Sequence, residues 1–163
     1  MATHSEQLEK LHDLIEGMHT AMLTTFRENQ LRSRPMAIIK NEDNVLWFFT
    51  SADSEKAQEI AADAHVNVAL ADESHNKYVS ISGKATIIHD PKKAEEMWTV
   101  FAKGWFKGPD DPSLRIIRFE MDGAEYWDGP SSKMVYLFNL LVSAVTGKEM
   151  GMGENEEVAV RSA

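Results

Sequence analysis

The feature that most constrains this chain is a succession of short strand-like segments separated by short polar turns. Each segment is rich in apolar, aromatic or β-branched residues, and several alternate between apolar and polar positions. Such spacing favours antiparallel pairing in a barrel or a curled sheet over a doubly wound fold. The predicted strands cover residues 20–26, 31–40, 45–50, 66–71, 78–89 and 114–121.

Helical patterns flank these strands. Thr3 and Glu6 have the spacing of a capping box, and Ser54 is a candidate N-cap for a second helix. Asp90 followed by Pro91 predicts the start of a third helix. Its buried face is predicted to carry Ala94, Met97, Trp98 and Phe101.

A last helix is predicted over residues 130–147, followed by a polar tail over residues 148–163. The fold class predicted from these patterns is mainly β with flanking helices. Residues 1–147 are predicted to form a single domain, because 163 residues fit one hydrophobic core.

Composition narrows the function classes. The formal net charge of -9 argues against a nucleic-acid partner. The chain has no cysteine, and its histidines lack the spacing of a zinc motif, so no metal site is predicted. The longest apolar-rich stretch, residues 134–145, is too short to span a bilayer, and no secretory signal is evident. We therefore expect a cytoplasmic protein without a membrane partner.

Three residues from two neighbouring elements predict an anion site. Arg34 lies on a predicted strand, and Ser54 caps the helix that follows the next strand. Lys56 lies in the first turn of that helix, where a cation opposes the helix dipole. The free N–H groups of a first helical turn favour an anion, which makes a phosphate site one reading. The alternative is a solvated arginine face beside an ordinary N-cap.

Trp105 and Phe106 are adjacent aromatic residues after the third predicted helix. Both cannot point inward from one regular element, so one of them is a candidate to lie at an interface or against a flat ligand. Aromatic base rates favour the ordinary reading, which is core or dimer packing.

Taken together, these segments resemble a known family, the FMN-binding split barrels related to pyridoxamine 5'-phosphate oxidase. The resemblance extends over nearly the whole chain, and its later part is similar to the general stress protein branch. The segments that carry it are Arg34-Pro35-Met36-Ala37-Ile38-Ile39-Lys40, Trp47-Phe48-Phe49-Thr50, Ser54-Glu55-Lys56, Tyr78-Val79-Ser80-Ile81-Ser82-Gly83 and Ala102-Lys103-Gly104-Trp105-Phe106.

The resemblance implies an antiparallel split β-barrel that binds FMN as a homodimer, with the flavin at the subunit interface. It also implies a role for each matching residue. Arg34 is implied near the phosphate or the ring, and Ser54 and Lys56 at the phosphate. The residues implied along or beside the flavin are Pro35, Met36, Phe49, Thr50 and Ser51. Those implied to reach it from the partner subunit are Tyr78, Ser80, Trp105 and Phe106.

The chain departs from the family pattern at two places. Glu55 stands where the oxidases often have a basic residue, which predicts weaker phosphate binding. Trp127 is followed by Asp128 and Gly129, not by the Arg-x-His segment that grips pyridoxal phosphate in the oxidases. True pyridoxamine-phosphate oxidation is therefore not expected.

The leading hypothesis is an FMN-dependent oxidoreductase, in which the protein positions the flavin. No residue stands out as a catalytic acid or base. One alternative is a non-catalytic flavin-binding stress protein that acts as a carrier, buffer or sensor. Another is a split barrel that binds a deazaflavin or haem.

Overall fold

The structure, a computed structural model, describes residues 3–129, 144 and 154–161. The helices in this part of the chain are α1 (His4–Ile15), α2 (Glu55–Ala62), α3 (Pro91–Glu96) and a short 3₁₀ helix (Val100–Gly104). The strands are β1 (Thr20–Arg27), β2 (Gln30–Ala37), β3 (Lys40–Glu42), β4 (Val45–Ser51), β5 (His65–Asp72), β6 (Lys77–Ile88), β7 (Leu114–Asp128) and β8 (Glu154–Ala159).

All described strands belong to one antiparallel sheet, so the predicted mainly β class with flanking helices is confirmed. The strand order is β2-β1-β5-β6-β7-β4-β3, and β8 pairs with β7 beside this path. The sheet does not close, because β2 and β3 are its two edges. Pro35 lies on edge strand β2. Its missing N–H therefore removes no hydrogen bond from the middle of the sheet.

Tight turns join the hairpins. The turn between β1 and β2 is Glu28-Asn29, and the turn between β3 and β4 is Asp43-Asn44. All four residues have positive φ angles, between 53° and 61°, as two-residue hairpin turns of the mirror-image type require. Both lie inside the polar turns predicted from the sequence. The strand predicted over residues 31–40 is interrupted, since β2 ends at Ala37 and β3 begins at Lys40.

Strand β7 is the longest of the described strands and has different neighbours along its two halves. It pairs with β6 over most of its length, with β4 over residues 114–120 and with β8 over residues 123–128. A bulge at Ser82/Gly83 interrupts the β6–β7 ladder near this change of partners. The sequence pattern predicts that this strand ends at residue 121. It therefore misses the second half of β7, which lies beyond the bulge.

The main core lies between the inner face of the sheet and helices α1 and α2. Its fully buried side chains include Leu11 of α1, Leu23, Phe48, Ile81 and Phe119. The capping box predicted at Thr3 and Glu6 is present and starts α1. A smaller apolar cluster packs α3 against the outer part of β4 and β7 and includes Met97, Leu114 and Ile116.

Two sequence predictions need correction. The helical pattern predicts Phe101 on a buried face, but α3 ends at Glu96, and Phe101 lies on the 3₁₀ helix with 86% of its surface exposed. The segment predicted as a polar tail, residues 148–163, contains β8, and Val158 and Val160 pack into the main core. The helix predicted over residues 130–147 lies outside the described residues except for residue 144.

Within the described part of the chain, none of the helices has both the length and the apolar character needed to cross a bilayer.

We predict that Gly83→Ala strongly destabilises the protein. A Cβ atom at position 83 would lie 2.0 Å from the backbone oxygen of Glu120, so β6 and β7 would have to separate. Overpacking of this kind costs about 1–3 kcal/mol of unfolding free energy, and backbone cannot move aside as a side chain can. Urea unfolding measures the loss.

The matched control is Gly123→Ala in the partner strand. Its added Cβ would lie 3.4 Å from the backbone oxygen of Val158, at ordinary contact distance. Equal stability of the two variants would contradict the proposed role of the close approach at Gly83.

Candidate functional site

A concavity lies where the sheet fails to close, between edge strand β2, the end of β4 and the start of α2. It has a volume of about 400 Å³, within the range of small-molecule sites. The 3₁₀ helix and the residues after it cover its far side. Its lining residues are Pro35, Met36, Ala37, Ile39, Phe49, Thr50, Ser51, Ser54, Lys56, Phe101, Ala102, Trp105, Phe106 and Ser113.

Most of the residues that the sequence points to meet in this cavity. The structure brings together Pro35, Met36, Phe49, Thr50, Ser51, Ser54, Lys56, Trp105 and Phe106. Arg34, Tyr78 and Ser80 do not line it. The resemblance implies that Trp105 and Phe106 reach the flavin from a partner subunit, whereas in the structure they border the cavity of their own chain.

The start of α2 forms the polar end of the cavity. The hydroxyl of Ser54 accepts a hydrogen bond from the amide of Ala57 at 3.3 Å and lies 2.9 Å from the hydroxyl of Thr50. Ser54 is therefore an N-cap, as predicted. The next two amides, of Glu55 and Lys56, have no acceptor within the described residues, and such first-turn N–H groups favour an anion.

Lys56 is half-buried beside these amides. Within the described residues, its ammonium has no carboxylate at ion-pair distance and no hydrogen-bond acceptor. Burial lowers the pKa of Lys56, the nearby charge of Arg34 lowers it further, and the charge of Glu59 opposes both effects. An anion bound here would restore the stability of the charged ammonium.

The guanidinium of Arg34 is hydrogen-bonded to other protein side chains. Its Nη1 donates to the hydroxyl of Thr25 at 2.6 Å, and its Nη2 donates to the carboxylate of Glu59 at 2.8 Å. The hydroxyl of Thr25 in turn donates to Glu59, which closes a ring of three hydrogen bonds. Of the three residues of the predicted anion site, Ser54 and Lys56 line the cavity, and Arg34 lies beside it with its terminal nitrogens bonded to Thr25 and Glu59.

Glu59 is almost fully buried, yet it is held ionised. Burial raises its pKa, but the hydrogen bonds from Thr25 and Arg34 and the charges of Arg34 and Arg32 outweigh burial, so the net pKa is lowered. Arg32 lies 3.5 Å from the other carboxylate oxygen and also pairs with Glu55 at 3.1 Å. This network ties α2 to strands β1 and β2.

The opposite wall of the cavity is aromatic. The ring of Phe49 lies 6.0 Å from the ring of Trp98 and 6.5 Å from the ring of Phe106, in tilted and edge-to-face arrangements. Phe101 and Trp105 border the cavity mouth and are both more than four-fifths exposed. Such exposed aromatic surface beside a cavity is typical of a binding site.

Tyr78 and Ser80 lie on the outer face of the sheet. Antiparallel pairing places two rows of residues across this face, from β2 through β1 and β5 to β6. None of the eight residues is charged, in a chain where 26% of residues are. We call these rows the uncharged face; they contain Ser33, Thr24, Asn67 and Ser82, and Pro35, Met22, Ala69 and Ser80.

Several parts of the site are not visible in the sequence. The helical pattern assigns Phe101 to the core, and Ala37, Ile39, Ala102 and Ser113 carry no chemical signal. Glu59 was missed as the partner of Arg34, although it lies on the same helix as Lys56. Glu59 lies one turn after Lys56, on the side of α2 that packs against β1. An isolated glutamate in a helix gives no warning that it will be buried.

Comparison with known proteins adds a family. The model of the family described as pyridoxamine 5'-phosphate oxidase like matches residues 6–151. General stress protein 26 of Bacillus subtilis is 27% identical over 115 residues, which cover 69% of this chain and 81% of that protein.

Two solved structures extend the likeness to the fold. A protein from Jannaschia sp. CCS1, assigned to general stress protein 26, superimposes with a TM-score of 0.77 over 95% of this chain and 99% of its own, at 22% identity. The general stress FMN/FAD binding protein of Xanthomonas citri has a TM-score of 0.69 and 28% identity, covering 78% of this chain and 92% of its own. The predicted split-barrel class is confirmed.

We predict that Thr25→Val destabilises the protein by about 1.5–3 kcal/mol at neutral pH, because it removes a hydrogen bond to a buried carboxylate. The folded pKa of Glu59 lies below its ordinary value of 4.5. Its contribution to stability is therefore complete above that value and is lost as pH falls through the folded pKa. The difference between the variant and the natural chain should accordingly shrink in acid.

Urea unfolding at neutral pH and at the lowest pH at which the natural chain stays folded tests this pH dependence. The control is Thr24→Val, whose hydroxyl contacts Ser33 on the outer face, at 2.6 Å. A loss for Thr25→Val that is equal at both pH values would mean that Glu59 is not held ionised by this hydroxyl.

Proposed function

Because the chain belongs to the pyridoxamine 5'-phosphate oxidase-like family, we propose that it binds FMN in the cavity between β2, β4 and α2. The observation that carries this proposal is the polarity of the cavity. Its walls are mainly apolar and aromatic, whereas one end presents the Lys56 ammonium and two amides, all without partners among the described residues. A flat ring system with a terminal phosphate has this same distribution of polarity.

The described residues fit such a ligand. Phe49 and Phe106 offer aromatic surface for the ring, and Pro35 and Met36 offer apolar contacts along it. Lys56 and the first turn of α2 suit the phosphate. The flavin-binding name of the Xanthomonas citri relative adds support from a chain that is 28% identical to this one.

Bound FMN would supply hydride or electron transfer, and the chain would position it and exclude water. The leading proposal is a flavin-dependent oxidoreductase. The second candidate is a non-catalytic flavin carrier, buffer or sensor. It is favoured because Lys56 is the only ionisable side chain among the described lining residues. The described part of the cavity thus offers no carboxylate or imidazole to move a proton.

We further propose that the chain acts as a homodimer through the uncharged face. The eight residues of this face are uncharged in a chain where 26% of residues are charged, and charge depletion marks the centres of interfaces. Met22 and Tyr78 on or beside this face are each at least 40% exposed. A symmetric pair would bury the same face from both chains.

We predict that the protein binds FMN at least ~10-fold more tightly than riboflavin, about 1.4 kcal/mol, because only FMN carries a phosphate. Lys56→Ala should weaken FMN binding by roughly 1.5–3 kcal/mol and leave riboflavin binding unchanged. Flavin fluorescence quenching measures both affinities. Melting of the flavin-free variant should match that of the natural chain.

The control is Lys84→Ala, which removes an exposed lysine on β6 outside the cavity. Equal FMN and riboflavin affinities in the natural chain would reject the phosphate site. Unfolding of flavin-free Lys56→Ala would instead make Lys56 a structural residue.

We predict that Thr24→Arg abolishes dimerisation, because it places a charge in the middle of the uncharged face. Light scattering of the natural chain should give twice the 18.3 kDa chain mass, and the variant should give the chain mass. Ala62→Arg, at the exposed end of α2, is the control and should stay dimeric. A natural chain that is monomeric when saturated with FMN would reject this arrangement.

Reduction of the bound flavin separates the enzyme from the carrier. We predict rapid bleaching of the flavin absorbance on anaerobic addition of NADH or NADPH if the protein is an oxidoreductase, and slow bleaching marks a carrier. Pyridoxamine 5'-phosphate should not be oxidised at ~1 per second or faster. Asp128, which follows Trp127 where the oxidases have an Arg-x-His segment, is a carboxylate paired with Lys10 at 2.6 Å and offers that substrate's phosphate no positive charge.

A further inference from the structure

Two aromatic side chains at the cavity mouth lie almost entirely in solvent. Among the described residues, Phe101 and Trp105 are the most exposed of the large apolar side chains, at 86% and 85%, and both line the cavity. Val100, beside Phe101 on the same 3₁₀ helix, is 78% exposed but does not line it. Single exposed apolar side chains are ordinary, whereas an exposed apolar cluster at the rim of a cavity is typical of a binding surface.

Hydrogen bonds and packing fix the backbone that carries these rings. The amides of Trp105 and Phe106 both donate to the carbonyl of Ala102, at 3.0 Å and 2.9 Å, and Ala102 is buried. Phe106 packs against the smaller apolar cluster, with its ring edge-on to that of Phe49. Trp105 is therefore the member of the adjacent aromatic pair that faces outward.

The loop after Phe106 is organised by the carboxylate of Asp111. This carboxylate accepts hydrogen bonds from the amides of Lys107 and Ser113, at 3.0 Å and 2.9 Å, and these bonds lower the pKa of Asp111. The amide of Ala52, just after β4, donates to the carbonyl of Ser113 at 2.8 Å. The segment that presents the two rings is thus bonded to itself and to the end of β4. Binding a ligand against it costs little backbone entropy, because the backbone is already ordered.

The cavity offers few polar groups to a second ligand. Lys56 is the only ionisable side chain among the described lining residues, and the proposed function assigns it to the flavin phosphate. The hydroxyls of Ser51 and Ser113 donate to Asp53 and Asp111, and the other two lining hydroxyls contact each other at the start of α2. A charged ligand at the mouth would lose water without gaining a charged partner among these residues, which is unfavourable.

From these observations we propose that the cavity mouth is the subsite for a second ligand, a flat uncharged ring compound that stacks on Phe101 and Trp105. This inference rests on the proposed binding of FMN and names the class of molecule that would meet the flavin. Such a ligand buries the apolar surface of the two rings and makes offset or edge-on contacts with them, both of which are favourable. Quinones and other uncharged aromatic compounds belong to this class.

The test measures binding of 1,4-naphthoquinone to the FMN-saturated chain by isothermal titration calorimetry. The flavin and the quinone are both oxidised, so no electron transfer disturbs the measurement, and the chain has no cysteine for the quinone to modify. Trp105→Ser and Phe101→Ser should each weaken this binding by at least about 3-fold, because a ring contact is lost. The matched control is Val100→Ser, on the same helix outside the cavity, which should change the affinity by less than about 2-fold.

The charge of the ligand is tested with probes of similar ring size. The anion 1,4-naphthoquinone-2-sulfonate and the cation 1-methylquinolinium should each bind at least about 3-fold more weakly than 1,4-naphthoquinone. Equal or tighter binding of either charged probe would overturn the assignment of an uncharged ligand.

The FMN affinity and the mass of the same variants show what the two rings serve. FMN affinity should stay within about 2-fold of the natural value, because rings this exposed add little to a ligand held deeper in the cavity. If Trp105→Ser and Phe101→Ser weaken FMN binding as much as they weaken quinone binding, the rings belong to the flavin site and the proposal is overturned. If light scattering shows that they dissociate the dimer while Val100→Ser does not, a partner chain covers the rings and the proposal is overturned as well.

Failure of the proposed function would look different. In that case the natural chain would not bind FMN, and both proposals would fail together. Clear FMN binding without binding of 1,4-naphthoquinone, or with quinone binding that Trp105→Ser and Phe101→Ser leave unchanged, would overturn only the present inference.

Discussion

The architecture depends on the close approach of β6 and β7 at Gly83. With no side chain there, the backbone of Glu120 comes within 2.0 Å of where a Cβ would lie, and the ladder changes register at the adjacent bulge. A bulge increases local twist and bends the strands. Beyond it, β7 exchanges one neighbour, β4, for another, β8. This exchange keeps the backbone groups of β7 paired while the sheet curls without closing.

The open seam that results is what creates the site. Strand β4, paired with the first half of β7, ends at Ser51, and the chain turns there into α2. The first turn of α2 therefore faces edge strand β2 across a gap instead of a hydrogen-bonded ladder. Under the proposed function, the flavin phosphate would lie in this gap beside the half-buried Lys56, while the buried charge of Glu59 is matched by Arg34. Lys56 thus places a positive charge at the cavity although the net charge of the chain is -9.

The sequence predicted the local features well and the distant pairings poorly. Hairpin turns, the caps at Thr3 and Ser54 and the odd position of Lys56 depend on residues within a few positions of each other, so their signals are visible in the chain. The partnership of Arg34 with Glu59 spans 25 positions, and burial of that carboxylate follows only from the docking of α2 on β1. Strand β8 resembles a tail for a similar reason: its polar sequence is stabilised as a strand only by the second half of β7. The cavity therefore lies where the sequence predicts an anion site, and Arg34 stands beside it, bonded to Glu59.

The uncharged face and the cavity meet at Pro35, which belongs to both. Strand β2 is only an edge of the sheet, so its position depends on β1, on the Arg34 network and on whatever covers its outer face. Under the proposed dimer, a partner chain would fix β2 from outside while Glu59 fixes it from inside. If the ligand binds the dimer more tightly than the monomer, it stabilises the dimer by that ratio of affinities, and dimerisation raises ligand affinity by the same factor, because linked equilibria are reciprocal. The exposed rings of Phe101 and Trp105 at the cavity mouth are further apolar surface that a bound ligand or a partner chain would remove from water, which is favourable.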